Sequence, residues 1–222
     1  MSYLQQLNEV QKDAVTTLDG PVMVVAGPGS GKTRVLTFRI AHLIKEGVPP
    51  WQILALTFTN KAAREMRERI EKLVGDQARD IWAGTFHSLF ARILRYEADK
   101  IGYPKSFTIY DRDDSKSVVQ TIIRELHLNK DAYNVNSVLN RISLAKTQLL
   151  SPKRYAQNPK ALQEDQQMRM PRFSEVYAKY TARCKRSGAM DFDDLLYRFF
   201  ELLQNHPDVL EKYRNRFQYL LV

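Results

Sequence analysis

The run Ala26-Gly27-Pro28-Gly29-Ser30-Gly31-Lys32-Thr33 gathers three glycines, an amine and a hydroxyl within eight positions. Glycine reaches backbone conformations closed to other residues and lets amide N–H groups come close to an anion. A lysine directly after such a loop can reach the β- and γ-phosphates of a nucleotide, and the hydroxyl that follows can ligate Mg²⁺. The chemistry on offer is phosphate binding and phosphoryl transfer. Lys32 and Thr33 are the candidate catalytic residues, and Thr33 is the candidate metal ligand. The strict form of this pattern opens on glycine, whereas this chain has Ala26, so ordinary torsions are expected there. The competing reading is a glycine turn that binds nothing.

Such a loop works only between a buried strand and the start of a helix, where the helix dipole adds positive character. Val22-Met23-Val24-Val25 is a continuous apolar run of the kind that forms a strand covered on both faces. After the loop, Val35, Leu36, Ile40, Leu43 and Ile44 carry helical spacing, and Gly47 stands where a C′ glycine belongs. Upstream, Leu7 to Val15 reads as a short amphipathic helix with Asn8 as its cap. Ile53 to Phe58 reads as a second buried strand, followed by a helix from Thr59-Asn60 to Gly75. A third strand, Ile81 to Thr85, runs directly into a helix from Phe86. Strands alternating with helices at this spacing predict right-handed βαβ units on a parallel sheet, hence an α/β fold.

From Phe107 the texture changes. One extended piece, Phe107 to Tyr110, precedes a helix capped by Asp111. Helical patterns follow near 135–147, 155–163 and 173–186, separated by loops with Pro152, Pro159 and Pro171. This stretch reads as an all-helical insertion within the α/β domain. The α/β character returns with a helix from Asp191-Phe192-Asp193-Asp194-Leu195, a break at His206-Pro207, a short basic helix, and a strand pattern from Phe217 to Val222. That terminal strand is either a sheet edge or the point at which a longer domain is cut.

Lys plus Arg number 34 against 25 Asp plus Glu, a net charge of +9. Such an excess suits a polyanion through release of condensed counterions, and equally suits a solvated basic surface. The single cysteine, Cys184, leaves no internal disulfide, and His42, His87, His127 and His206 are isolated from one another, without the spacing of a zinc site. No apolar run approaches membrane-spanning length, so a soluble cytoplasmic protein is expected.

Five stretches, taken in order, carry a resemblance: Leu7-Asn8-Glu9-Val10-Gln11, the loop Ala26 to Arg34, Leu56-Thr57-Phe58-Thr59-Asn60-Lys61-Ala62-Ala63, Gly84-Thr85-Phe86-His87-Ser88, and Asp191-Phe192-Asp193-Asp194-Leu195. Together they resemble the UvrD/Rep/PcrA family of superfamily 1 DNA helicases across nearly the whole chain. The resemblance implies a P-loop NTPase with a RecA-like parallel sheet flanked by helices. Residues 1–105 would form the first part of its ATP-binding domain, 106–187 a helical insertion (subdomain 1B), and 188–222 the return to the first domain. In that family the next residues are the paired acids of the Walker B motif. The implied protein is therefore the N-terminal portion of a helicase whose second RecA-like domain and arginine fingers lie further along the chain.

The same resemblance assigns roles. ATP and Mg²⁺ are implied, held by Gln11 at the adenine edge, by Ala26, Gly27, Pro28, Gly29, Ser30, Gly31, Lys32 and Thr33 around the phosphates, and by Arg34 against the adenine face. Phe58, Thr59 and Asn60, at the C-terminal end of a parallel strand, would meet single-stranded DNA, as would Thr85 and His87 at the end of the next. Phe58 could instead be core, and His87 a packing or capping residue. The acids of Asp191–Leu195 repel phosphate, so any contact there falls to the backbone or Phe192. The implied partners are single-stranded DNA, duplex/single-strand junctions and the C-terminal domains of the same chain, with no membrane. The implied setting is the bacterial cytoplasm and nucleoid, with 3′-to-5′ movement in repair or replication. One lobe lacks the carboxylate that orients water, so this portion is expected to bind nucleotide weakly and to unwind nothing. A small-molecule P-loop kinase and a non-enzymatic nucleotide switch are the alternatives. The kinase fits the helical insertion poorly, and the switch requires Val222 to be a true terminus.

Overall fold

The computed structural model describes residues 3–222. In chain order the elements are α1 (Glu9–Thr16), α2 (Lys32–Lys45), β1 (Ile53–Thr57), α3 (Asn60–Val74), β2 (Trp82–Thr85), α4 (Phe86–Tyr96), β3 (Thr108–Tyr110), α5 (Arg112–Glu125), α6 (Val135–Thr147), α7 (Pro152–Ala156), α8 (Pro159–Gln167), α9 (Phe173–Arg186), β4 (Ala189–Asp191), α10 (Phe192–Asn205), α11 (Pro207–Arg216) and β5 (Tyr219–Leu221). The chain divides into two compact units, one of Met1–Leu89 with Leu210–Val222 and the other of Phe90–Val209. These boundaries give the helical unit more chain than 106–187, because the later part of α4 and all of α10 belong to it.

The first unit is α/β. Its sheet has the order β2-β1-β5, and both pairings are parallel. β1 is buried along Ile53 to Leu56, which is what a parallel strand covered by helices on both faces requires. Ile40 and Leu43 of α2 and Met66 and Ile70 of α3 pack with Ile53 and Ala55 to form its core. Gly84 lets α4 close onto the end of β2, since a Cβ there would stand 2.8 Å from Ser88 Oγ and 3.1 Å from Leu89 Cγ.

The expected strand at Val22–Val25 does not form. Residues 21–27 have no regular structure, and the side chains alternate in exposure: 39%, 86%, 43% and 86% from Val22 to Val25. The alternation is that of an extended chain with one face turned in. β1 is already paired on both edges, and Val22, Val24 and Leu220 of β5 line a cleft of about 780 Å³.

The second unit is helical apart from the two-stranded parallel pair β3-β4. Its core is unusually aromatic, with Tyr155, Phe173, Tyr177 and Tyr180 fully buried among Val119, Ile122 and Ile142. Asp111 caps α5 as expected, with its carboxylate accepting from the amides of Asp113 and Asp114. The pattern expected as one helix over 155–163 is two helices. Pro159 occupies the first turn of α8 and Asn158 caps it, so the chain breaks there and restarts.

Candidate nucleotide and nucleic-acid site

The glycine loop leads into α2 through Gly29 (φ 78°) and Gly31 (φ 88°), both in the left-handed region. Gly31 stands at the N-cap of α2, and among the described residues no side chain makes the capping hydrogen bond. The leading amides of α2 thus have no acceptor within the helix and no cap, which is the arrangement that receives an anion. Ala26 adopts no positive φ, in keeping with the ordinary torsions expected of it. Lys32 and Thr33 are exposed at the head of α2, beside the same cleft.

Lys32 is folded back on its own loop, donating from Nζ to the carbonyls of Ala26 and Gly27, each at 2.8 Å. Ser30 Oγ donates to the Gly27 carbonyl at 2.7 Å. The loop therefore closes around carbonyls that the lysine must leave before it can bind phosphate. Gln11 holds the loop from the other side, its Nε2 donating to the Ser30 carbonyl at 3.0 Å. The same side chain completes a capping box on α1, accepting from the Asn8 amide at 3.3 Å while Asn8 Oδ1 accepts from the Gln11 amide at 2.9 Å. Gln11 and Gly31 are close enough that a Cβ at Gly31 would stand 2.9 Å from Gln11 Nε2. Arg39 ties the end of α1 to α2, donating to the carbonyls of Ala14, at 2.8 Å, and Thr17. Arg34 lies on the exposed side of α2 with its guanidinium 5.5 Å from the centre of the Phe38 ring. Gln11, the loop, Lys32, Thr33 and Arg34 are thus brought together on one end of the first unit.

Phe58 follows β1 directly and is 81% exposed, which removes the reading of it as a core residue. Its ring meets Phe86 at a centroid distance of 5.4 Å, so two aromatic rings stand at the C-terminal ends of the adjacent strands β1 and β2. Thr59 caps α3, its Oγ1 accepting from the Ala62 amide at 3.1 Å, and Asn60 opens that helix, exposed. Thr85 is different. It is buried, and its hydroxyl is spent locally, accepting from the Ser88 amide at 3.2 Å and donating to Ser88 Oγ at 3.0 Å. Those bonds make Thr85 the cap of α4. His87 is half-buried in the first turn of α4.

The comparisons with known proteins agree with this architecture. The family model for the UvrD/REP helicase N-terminal domain matches residues 7–222. The chain belongs to the UvrD/REP helicase family. Among curated relatives, the ATP-dependent DNA helicase PcrA of Leuconostoc citreum is 48% identical over 219 residues, which is 97% of this chain and 28% of that protein. PcrA of Bacillus subtilis (strain 168) is 46% identical over 99% of this chain and 29% of its own length. PcrA of Staphylococcus aureus (strain Mu50 / ATCC 700699) is 44% identical over the same shares. The chain thus spans between a quarter and a third of the length of the UvrD/REP relatives it matches.

Of the acids in Asp191–Leu195, Asp191 and Asp194 are buried and Asp193 is half-buried. Asp191 caps α10, its Oδ1 accepting from the Asp194 amide at 2.8 Å, and both carboxylates turn into the helical unit. There Lys146 of α6, 3% exposed, places Nζ 2.7 Å from Asp191 Oδ2 and 3.0 Å from Asp194 Oδ1. Tyr180 of α9 donates to Asp191 Oδ2 at 2.8 Å. Burial pulls the Lys146 ammonium down, but Asp194 and Asp191 outweigh it and hold its pKa above the ordinary value. Burial likewise opposes the charge on Asp191, yet Lys146 keeps that carboxyl below the usual range. Lys146 and Tyr180 were outside the reach of sequence reasoning: each looks like one more polar residue on a helix, and Lys146 stands far along the chain from the acids it pairs with.

Proposed function

We propose that this chain is the nucleotide-binding and single-stranded-DNA-binding portion of an ATP-dependent 3′-to-5′ DNA helicase or translocase acting in DNA repair or replication. The observation that carries the reading is the uncapped head of α2 with Lys32 and Thr33 exposed beside a glycine loop. On that reading the loop amides and Lys32 receive the phosphates of ATP, Lys32 exchanging the Ala26 and Gly27 carbonyls for phosphate oxygens. Thr33 holds Mg²⁺, which when bound draws charge from the phosphates. Gln11 addresses the adenine edge and Arg34 its face. Phe58 supplies an aromatic platform for an unpaired base, with Thr59, Asn60 and His87 near the sugar-phosphate backbone and Thr85 supporting them as the α4 cap.

The partners on this reading are single-stranded DNA, the single-strand side of a duplex junction, and the further domains found in the longer relatives. The setting is the bacterial cytoplasm and nucleoid. The α/β unit corresponds to the first ATP-binding domain and the helical unit to its insertion.

The test is a titration of this chain with a fluorescent ATP analogue and Mg²⁺, beside Lys32→Ala. The parent chain is expected to bind weakly, Lys32→Ala to lose affinity that tracks the number of phosphates, and neither to hydrolyse ATP above the other. Equal binding of ATP and adenosine by the parent chain refutes the phosphate cradle.

A further inference from the structure

Little holds α1 in place. It has eight residues, and helices that short are marginal by themselves. Val10 is 80% exposed, and Val15, covered by Val35 and Phe38 of α2, is the one fully buried residue of the helix. Among the described residues, α1 and its C-cap Thr17 are hydrogen-bonded beyond their own segment only through Gln11 and Arg39. Gln11 and Ala14 are three positions apart and so share a face of the helix, with Val15 beside them, and that face is the one turned to α2. Gln11 reaches Ser30 and Gly31 at the head of α2. The Ala14 and Thr17 carbonyls meet Arg39, eight residues beyond Gly31 and thus about 12 Å along the helix. Both carbonyls stand at the end of α1, where they have no partner within the helix and where a cation suits the negative end of its dipole. Arg39 is half-buried and forms no ion pair among the described residues, so these two carbonyls are what its guanidinium serves.

We infer that Arg39 is a positioning residue for the nucleotide site: by gripping the Ala14 and Thr17 carbonyls it fixes the roll and register of α1, and through α1 it keeps the Gln11 amide on the Ser30–Gly31 segment of the glycine loop. The inference rests on the nucleotide reading above and adds to it a residue that acts through another helix. Packing of Val15 on Val35 and Phe38 resists separation of α1 from α2, but burial is non-directional and does not stop one helix from turning or sliding on the other. Hydrogen bonds are directional, and two of them to successive carbonyls at one helix end set both motions. With α1 fixed, Gln11 holds the Ser30 carbonyl and Gly31 keeps its left-handed place at the N-cap of α2. A phosphate chain then meets a loop that already has its shape, and binding does not also have to order the glycines.

Arg39→Met keeps the stem of the side chain and removes the grip, and Arg39→Gln, neutral and two bonds shorter, takes its place if Arg39→Met does not fold. The first readout needs no nucleotide. The side-chain amide resonance of Gln11, identified by its loss in Gln11→Ala, and the backbone amide resonance of Gly31 are both expected to shift in the Arg39 variant. The second readout is affinity for a fluorescent ATP analogue with Mg²⁺, expected to fall roughly three- to tenfold, the contribution of one hydrogen bond. In the Gln11→Ala background the Arg39 substitution should cost nothing further, since it acts through Gln11. A cost that adds in full to that of Gln11→Ala is general destabilisation and overturns the assignment. So does parental affinity in a folded Arg39 variant, and so do Gln11 and Gly31 resonances that stay in place. A flat titration of the parent chain, with both resonances still displaced in the Arg39 variant, sinks the nucleotide reading and leaves the grip of Arg39 on α1 standing.

Discussion

Phe58→Ala separates a residue kept for a ligand from one kept for the core. The side chain is 81% exposed, so folding covers about a fifth of it. Full burial of a phenylalanine is worth roughly 1.5–3 kcal/mol, and a fifth of that is about 0.5 kcal/mol. The tilted contact with Phe86 adds a solvent-facing increment, so truncation should cost the fold no more than about 1 kcal/mol. For a chain of this size that is a melting shift of about 2–4 °C. Losing a base-stacking platform, by contrast, costs about 1–3 kcal/mol of binding to single strands. The two effects therefore separate by assay: near-parental melting, with oligonucleotide affinity in an anisotropy titration down by roughly five- to a hundredfold. Met66→Ala provides the mirror image. Met66 is 1% exposed between α3 and the sheet, and its truncation should cost about 2–5 kcal/mol of stability without a specific effect on DNA. If Phe58→Ala melts as low as Met66→Ala and binds the oligonucleotide as the parent does, the platform does not exist.

Two further outcomes are expected. Gly31→Ala forces a side chain onto a residue at φ 88° and drives its Cβ to 2.9 Å from Gln11 Nε2, whereas Gly27→Ala meets nothing within 4 Å at an ordinary φ. The first should lose about 1–2 kcal/mol from the left-handed backbone, plus the Gln11–Ser30 hydrogen bond, and weaken nucleotide binding; the second should match the parent in stability, and equal stability of the pair would dismiss the latch. Cys184 is buried, and that burial, reinforced by Asp194, pushes its thiol from 9.0 up to about 12. Because the folded value is the raised one, the stability it confers is complete below pH 9 and declines as pH climbs toward 12. Relative to Cys184→Ala, the parent should lose about 2 kcal/mol between pH 9 and 11 in urea titrations, and parallel stability–pH curves would contradict a buried thiol.

Local signals were legible wherever the cause is local. Asn8, Thr59, Asp111 and Asp191 each cap a helix because a short oxygen-bearing side chain before an amphipathic run satisfies amides two or three residues on. Gly47 and Gly75 end helices at positive φ for reasons equally close at hand. The loop's own glycines announced its conformation, and the apolar run Ile53–Leu56 announced a strand buried on both faces. Partnership between distant residues left no such trace. That Lys146 would neutralise Asp191 and Asp194, that Thr85 would spend its hydroxyl on Ser88 and that Lys32 would bond its own loop all depend on where folded elements come to rest.

Val22–Val25 marks the boundary between these two kinds of information most clearly. Composition and period say how a segment wants to be covered, and here they call for apolar cover on both faces. Exposures of 39% and 43% at Val22 and Val24, against 86% at Met23 and Val25, show the inner face partly met and the outer face not. Helices carry their hydrogen-bond partners within themselves, which is why most of α1 to α11 could be anticipated from nearby residues, the split into α7 and α8 at Pro159 excepted. A strand borrows half of its backbone bonds from another segment, and β-type sequence is fulfilled only where that segment lies alongside, at about 4.7–4.9 Å. Beside Val22–Val25 the cleft holds that place open, with Lys32 and Thr33 along the same cleft. The glycine loop is consequently held on its helix side, by the Gln11–Ser30 hydrogen bond beside Gly31.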